Sequence, residues 1–281
     1  MHVVTGPARA SRRMGAVLAA AGLLVGLAGC VTTGGPAPRP YRNTGDDDIK
    51  TASDQTNADR LSNTRMELAQ AYLGRNQPTD ALDQVKQALQ AKPNNPAAYG
   101  LRGLIYAALG ETDKADESFQ RAMQLAPHDA DLIHNYGWYL CQQRRFADAN
   151  AQFLLAIAEP SYRQASRTML AQGVCQLRAG KPQDAEKTLA RAYELDPANP
   201  TIAVNLSEVL YRNGQYERAR FYIRRVNTRQ ELASAQTLWL AARIEHRLGQ
   251  EEQVNAMGAQ LRNRFPESPE AVLFEKGKFD E

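Results

Sequence analysis

Residues 96–127 read PAAYGLRGLIYAALGETDKADESFQRAMQLAP, and the order of small, bulky and helix-breaking side chains in that stretch decides the fold. Gly103 stands seven residues before Gly110, Ala115 five after it and Phe119 nine after it, and Pro127 closes the run. Two antiparallel helices satisfy this spacing. Small residues at Gly103 and Ala115 let the helix axes approach, and Phe119 fills the gap that remains. Gly110 ends the first helix, and Pro127, which lacks a backbone donor, ends the second.

The same columns return six times. The turn position holds Asn76, Gly110, Arg144, Gly180, Gly214 and Gly249, at intervals of 34, 34, 36, 34 and 35 residues. Five residues later stand Ala81, Ala115, Ala149, Ala185, Ala219 and Val254; seven earlier stand Ala69, Gly103, Gly137, Gly173, Ser207 and Ala242. Val85, Phe119, Phe153, Leu189 and Ile223 are the fillers between the helices. Pro93, Pro127, Pro197 and Pro266 share a register, with Pro160 one residue early. This column set resembles the tetratricopeptide repeat (TPR). The resemblance implies an all-α, right-handed superhelix of six helix-turn-helix units, near 62–95, 96–129, 130–165, 166–199, 200–234 and 235–268, then a short C-terminal segment. One pair of helices cannot bury its own apolar face, whereas stacked neighbours share a continuous core. Two irregularities carry expectations. The run Glu159-Pro160-Ser161-Tyr162-Arg163 predicts a longer connection, and Glu231, where a proline is missing, predicts a helix that continues or shifts.

The first 29 residues have a separate role. Arg9, Arg12 and Arg13 precede a run from Gly15 to Gly29 with no charged or strongly polar residue. The run is short for a membrane span and reads as a signal peptide. It ends Leu27-Ala28-Gly29-Cys30, which resembles a bacterial lipobox. That resemblance implies lipidation at Cys30 and removal of residues 1–29; an ordinary signal peptide with an incidental cysteine, or an anchor helix, is the alternative. Val31 follows the cysteine, where an Asp resembles the inner-membrane retention signal, so the expected location is the outer membrane, lipid-anchored and facing the periplasm. Residues 30–57 are rich in Gly, Pro and Thr and read as a flexible tether, with the TPR domain in 58–281. The 34 basic residues exceed the 31 acidic ones by three, and three arginines lie in the leader. The remaining chain is balanced, which argues against a nucleic-acid partner. Arg218, Arg220, Arg224 and Arg225 read as a solvated outer face.

Three cysteines in an exported chain leave an odd one. With Cys30 lipidated, Cys141 and Cys175 remain, on first helices of adjacent units. They are either two buried thiols or, as an oxidising compartment favours, a disulfide. No other Cys or His lies at ligand spacing, so no metal is expected. No cofactor motif and no nucleophile-and-base arrangement accompanies His128, His134 and His246, and no enzymatic activity is expected. The expected working surface is instead the concave face, lined by positions 2, 5, 9 and 12 of each first helix. Leu104, His134, Trp138, Leu170, Val174, Tyr211 and Trp239 fall there. Such an apolar stripe with aromatic anchors suits a segment of another protein; about half of these side chains are expected to turn into the core between repeats.

A narrower resemblance lies in the third and fourth units. The run His134-Asn135-Tyr136-Gly137-Trp138-Tyr139-Leu140-Cys141, then Phe146-Ala147-Asp148-Ala149, Phe153, Pro160-Ser161-Tyr162 and Gly173-Val174-Cys175, is similar to the type IV pilus biogenesis lipoproteins of the PilF/PilW family. Tyr139 replaces that family's usual Phe, and Met169 to Gln172 lacks its usual Asn. The resemblance implies an outer-membrane pilotin whose partner is a subunit of the secretin PilQ, acting in pilus assembly and twitching motility. A TPR lipoprotein serving β-barrel insertion or peptidoglycan enzymes remains the alternative.

Overall fold

A computed structural model describes residues 55–279, and every regular element within them is an α-helix. In chain order they are α1 (Asn57–Gly74), α2 (Pro78–Ala91), α3 (Pro96–Ala108), α4 (Thr112–Leu125), α5 (Ala130–Gln142), α6 (Phe146–Ala158), α7 (Ala165–Arg178), α8 (Pro182–Leu195), α9 (Pro200–Arg212), α10 (Tyr216–Asn227), α11 (Ala235–Arg247), α12 (Glu251–Arg264) and α13 (Pro269–Glu275). The signal peptide, Cys30 and nearly all of the tether lie outside the described residues.

Except in the fourth unit, where α7 follows Gln164 with no side-chain cap, the two helices of each unit begin in different ways. Thr56, Asn95, Asp129, Asn199, Ser234 and Ser268 cap α1, α3, α5, α9, α11 and α13 by accepting backbone N–H bonds of the first turn. Helices α2, α4, α6, α8, α10 and α12 have no side-chain cap. Each instead follows a left-handed residue: φ is 58° at Asn76, 78° at Gly110, 62° at Arg144, 73° at Gly180, 74° at Gly214 and 68° at Gly249. That conformation turns the chain back on itself. The next N–H then bonds a carbonyl five residues earlier, as Glu111 does to Tyr106 at 2.9 Å.

Within a unit the small column faces the filler. A Cβ on Gly103 would lie 2.8 Å from the Phe119 ring, and one on Gly173 would lie 2.5 Å from Leu189. All five fillers are buried, each worth roughly 1.5–3 kcal/mol of removed apolar surface. In the sixth unit the filler position is Gly258, and Phe274 of α13 packs into the space. Helix α13 therefore completes the sixth unit's core.

Consecutive first helices (α1, α3, α5, α7, α9, α11 and then α13) touch one another, whereas consecutive second helices do not. The first helices thus lie on the inner side of the curve in this repeat superhelix. Connections between units take four residues, except six before α7 and seven before α11. The first exception is the longer connection expected at Glu159–Arg163. The second corrects the reading of Glu231. Helix α10 neither continues nor shifts there; it stops early at Asn227, and side-chain bonds fix the chain around that end. Thr228 Oγ1 donates to the Arg225 carbonyl at 3.1 Å, and Asn227 Nδ2 donates to the Thr237 carbonyl at 3.0 Å. Arg264 then holds the loop through the carbonyls of Gln230 and Ala233, at 2.9 and 3.3 Å.

Candidate protein-binding site

On the inner face, helical spacing aligns side chains from successive first helices into one stripe. Met66, Leu73, Leu104, Trp138, Leu170, Val174, Leu177 and Val204 are all half-buried, so each keeps an apolar surface open to solvent. Trp138 is further held by the Arg178 guanidinium, 5.2 Å from its ring centroid. Charges beside the stripe neutralise each other: Arg167 meets Asp131 at 3.4 Å and Arg212 meets Glu208 at 2.6 Å. The face therefore offers apolar contact edged by paired charges, which favours an uncharged, apolar segment of a partner over a highly charged ligand.

Three side chains expected on the open face are placed elsewhere. His134 is buried between α5 and α7, where Nδ1 lies 2.9 Å from Thr168 Oγ1. The same hydroxyl is 2.8 Å from the Tyr162 OH. Tyr162 comes from the longer connection, so the additional residues insert a polar clasp between the third and fourth units. Burial, with a smaller contribution from the Arg167 charge, lowers the His134 pKa to about 4. The imidazole is therefore neutral at pH 7 and serves as a junction residue, not an open groove contact.

Trp239 and Tyr211 are the other two corrections, at 6% and 7% exposure. Both are covered by the chain's own last segment. Phe279 stacks on Trp239 with centroids 5.3 Å apart and on His246 at 4.3 Å. Its carbonyl accepts from Arg243 Nε at 3.2 Å and from the Tyr211 OH at 3.5 Å. Sequence reasoning missed this cover. The available signal was the break in the filler column at Gly258, followed by the two phenylalanines Phe274 and Phe279.

Cys141 and Cys175 are joined in a disulfide between α5 and α7, with Cα atoms 5.8 Å apart. Beside it lies a cavity of about 270 Å³ lined by Phe146, Phe153, Gln172 and Gln176 among others. There Asn150 Oδ1 accepts from Gln172 Nε2 at 2.9 Å and from Gln176 Nε2 at 3.4 Å. The basic cluster on α10 is partly neutralised, since Arg218 pairs with Glu186, and Arg220 with Glu217 and Glu245. Among the described residues no three His, Cys, Asp or Glu side chains gather as a metal site, and no helix is long and apolar enough to cross a membrane.

Six stacked helix pairs with an apolar inner stripe define a tetratricopeptide repeat protein, a class of protein-interaction scaffold. Tetratricopeptide repeat models match residues 66–130, 136–200 and 176–238. Within that class the chain belongs to the PilF/PilW family of type IV pilus biogenesis proteins. It is 32% identical to PilW, a widely conserved type IV pilus biogenesis factor, whose crystal structure matches with a TM-score of 0.68 over 76% of this chain and 97% of that one. It is 26% identical over 256 residues to the type IV pilus assembly protein PilF of Pseudomonas aeruginosa, covering 91% of this chain and 96% of that protein. The P. aeruginosa PilF structure, 24% identical with a TM-score of 0.66, has the same fold.

Proposed function

We propose that this type IV pilus biogenesis protein acts as a lipid-anchored pilotin. On this reading it grips an unassembled secretin subunit through the inner stripe and promotes that subunit's localisation and multimerisation in the outer membrane. The observation carrying the reading is the half-buried apolar stripe from Met66 to Val204, on a chain of the PilF/PilW family. Partly open apolar side chains recurring along one face of successive repeats suit contact with another polypeptide. A scaffold that must hold a client and then release it needs that surface, because apolar contact is non-directional and tolerates a moving partner. Lipidation at Cys30 supplies the destination, and the segment between Cys30 and α1 supplies reach.

Capture of purified secretin fragments by the full chain tests the grip. Trp138→Ala removes the largest open side chain and is expected to weaken capture by about 1–2 kcal/mol, or roughly tenfold. Undiminished capture by this variant would remove the stripe from the mechanism. Cys30→Ser tests the anchor: the protein is expected to leave the outer-membrane fraction, and heat-stable secretin multimers are expected to fall while porins stay unchanged. Loss of porins alongside secretin would instead support a role in general β-barrel insertion.

A further inference from the structure

The inner face closes at its C-terminal end around a single aromatic ring. Three rings surround Phe279: His246 stacks at 4.3 Å, Trp239 stacks at 5.3 Å, and Phe274 meets it edge-on at 5.6 Å. Arg243 and Tyr211 converge on its backbone carbonyl, at 3.2 and 3.5 Å, and the Arg243 guanidinium lies 4.5 Å over the Tyr211 ring. Tyr211 comes from α9, Trp239, Arg243 and His246 from α11, and Phe274 from α13. They recognise two features together, an aromatic face and a main-chain acceptor beside it, which is the chemistry of an extended peptide with one aromatic anchor.

The segment filling this site leaves α13 through an exposed turn. Lys276, Gly277 and Lys278 are exposed, and Gly277 has φ 64°. Gly277 makes the same turn that starts the second helix in each of the six units, with Lys278 N–H bonding the Leu273 carbonyl at 3.0 Å. Here the turn delivers Phe279 back across the inner face. Helix α13, by contrast, is fixed by Phe274 in the sixth unit's core.

We propose that Tyr211, Trp239, Arg243 and His246 form a peptide-binding subsite for an aromatic residue of the client segment, and that Phe279 occupies it as a displaceable internal ligand. The client's aromatic side chain replaces the Phe279 ring and its backbone carbonyl takes the Arg243 and Tyr211 bonds, extending the open stripe by two units. An attached competitor raises the client concentration needed by its own effective concentration. The subsite thus sets a threshold for binding. This deepens the proposed grip on a client and rests on that reading only for the client's identity.

The test uses the full chain labelled with 5-fluorotryptophan, whose two resonances report Trp138 and Trp239 separately. The probe is the peptide acetyl-Lys-Gly-Lys-Phe-amide, with acetyl-Lys-Gly-Lys-Ala-amide as its control. Phe279→Ala is expected to shift the Trp239 resonance and leave that of Trp138, which also shows that the variant is folded. The phenylalanine peptide is then expected to restore the native Trp239 position in Phe279→Ala and, carrying a fluorophore and read by anisotropy, to reach its binding midpoint with Phe279→Ala at about one-tenth the concentration it needs with the native chain. Phe279→Tyr, which keeps a ring in place, is expected to behave as native. Equal midpoints in the native and Phe279→Ala chains, or equal effects of the two peptides, would overturn the proposal. No secretin is present, so failure here leaves the pilotin reading standing, and failure of secretin capture leaves the subsite standing.

Discussion

Trp138 and Trp239 both lie on first helices at positions that face inward, yet one stays open and the other is buried. The surroundings of Trp138 are fixed from outside the groove. A disulfide and the His134–Thr168–Tyr162 clasp hold the third and fourth units together, so their inner face has no need of further cover. The sixth unit is followed by the short helix α13 and lacks a filler at Gly258. Its core is completed by Phe274 and its inner face by Phe279. A repeat array must either bond its units internally or cap its end, and a capped end surrenders inner surface that a bonded middle keeps free.

The disulfide is where this contrast breaks most sharply. It closes a loop of 34 residues, which in the chain-entropy model is worth about 3–4 kcal/mol. Cys141→Ser with Cys175→Ser is expected to lower the urea midpoint accordingly. Hydrogen exchange is expected to accelerate in α5, α6 and α7 before it does in α11 and α12. Uniform acceleration along the array would mean that the bond stabilises no particular junction.

At the other end, Phe274→Ala should empty the sixth unit's core. Truncation of a buried Phe costs about 3–5 kcal/mol, and Phe274 is only half-buried, so about 2 kcal/mol is expected. The same change removes one ring beside Phe279, so the Trp239 fluorine resonance should move as well. A stability loss with an unmoved Trp239 resonance would separate the end cap from the inner-face cover.

These two regions were unequally legible in the sequence. Contacts inside a unit follow from fixed spacings of about 34 residues, so Ala81, Phe119, Gly173 and their columns, and the proximity of Cys141 to Cys175, could be read directly. Positions 5 and 12 were legible only as facing inward. Whether such a side chain meets solvent or a neighbour depends on residues outside the repeat pattern. His134 was misplaced because Tyr162 and Thr168 belong to an insertion and to the next unit. Trp239 and Tyr211 were misplaced because the covering ring arrives from Phe279, beyond the last repeat, where no column constrains the chain.

The clasp also gives the middle junction a pH dependence. The His134 pKa is about 4 when folded, against 6.5 for the unperturbed side chain, so the unfolded chain binds this proton more tightly. The contribution is complete above pH 6.5 and is lost as pH falls from 6.5 towards 4. With solvent reaching Arg167 and part of the junction, a loss of about 1–2 kcal/mol is expected. His134→Gln retains a hydrogen-bonding group for Thr168 and should flatten the profile over that interval. An unchanged slope in this variant would assign the pH dependence to other groups.

The smallest expected effect concerns the turn three residues after Cys141. Arg144 holds φ 62° at a position where four of the six units use glycine. A side chain with a Cβ is strained there by about 1 kcal/mol, and Asn76, in the first unit, is the kind of residue that tolerates it best. Arg144 nonetheless keeps the turn, since its N–H bonds the Cys141 carbonyl at 3.1 Å and Arg145 N–H bonds Leu140 at 2.9 Å. The neighbouring Arg145 adds pairs to Asp116 at 2.9 Å and Asp148 at 3.1 Å. Arg144→Gly should therefore relieve strain without altering the turn. Part of the gain is offset by the greater freedom of glycine in the unfolded chain, leaving about 0.5 kcal/mol of added stability. Denaturation of the oxidised and reduced proteins checks where the strain is held. Equal gains in both forms would show that the turn is set by its own hydrogen bonds. A gain confined to the oxidised form would show that the disulfide imposes the strained turn, and that the open middle of the array carries a backbone cost which the capped end avoids with Gly249 and Gly277.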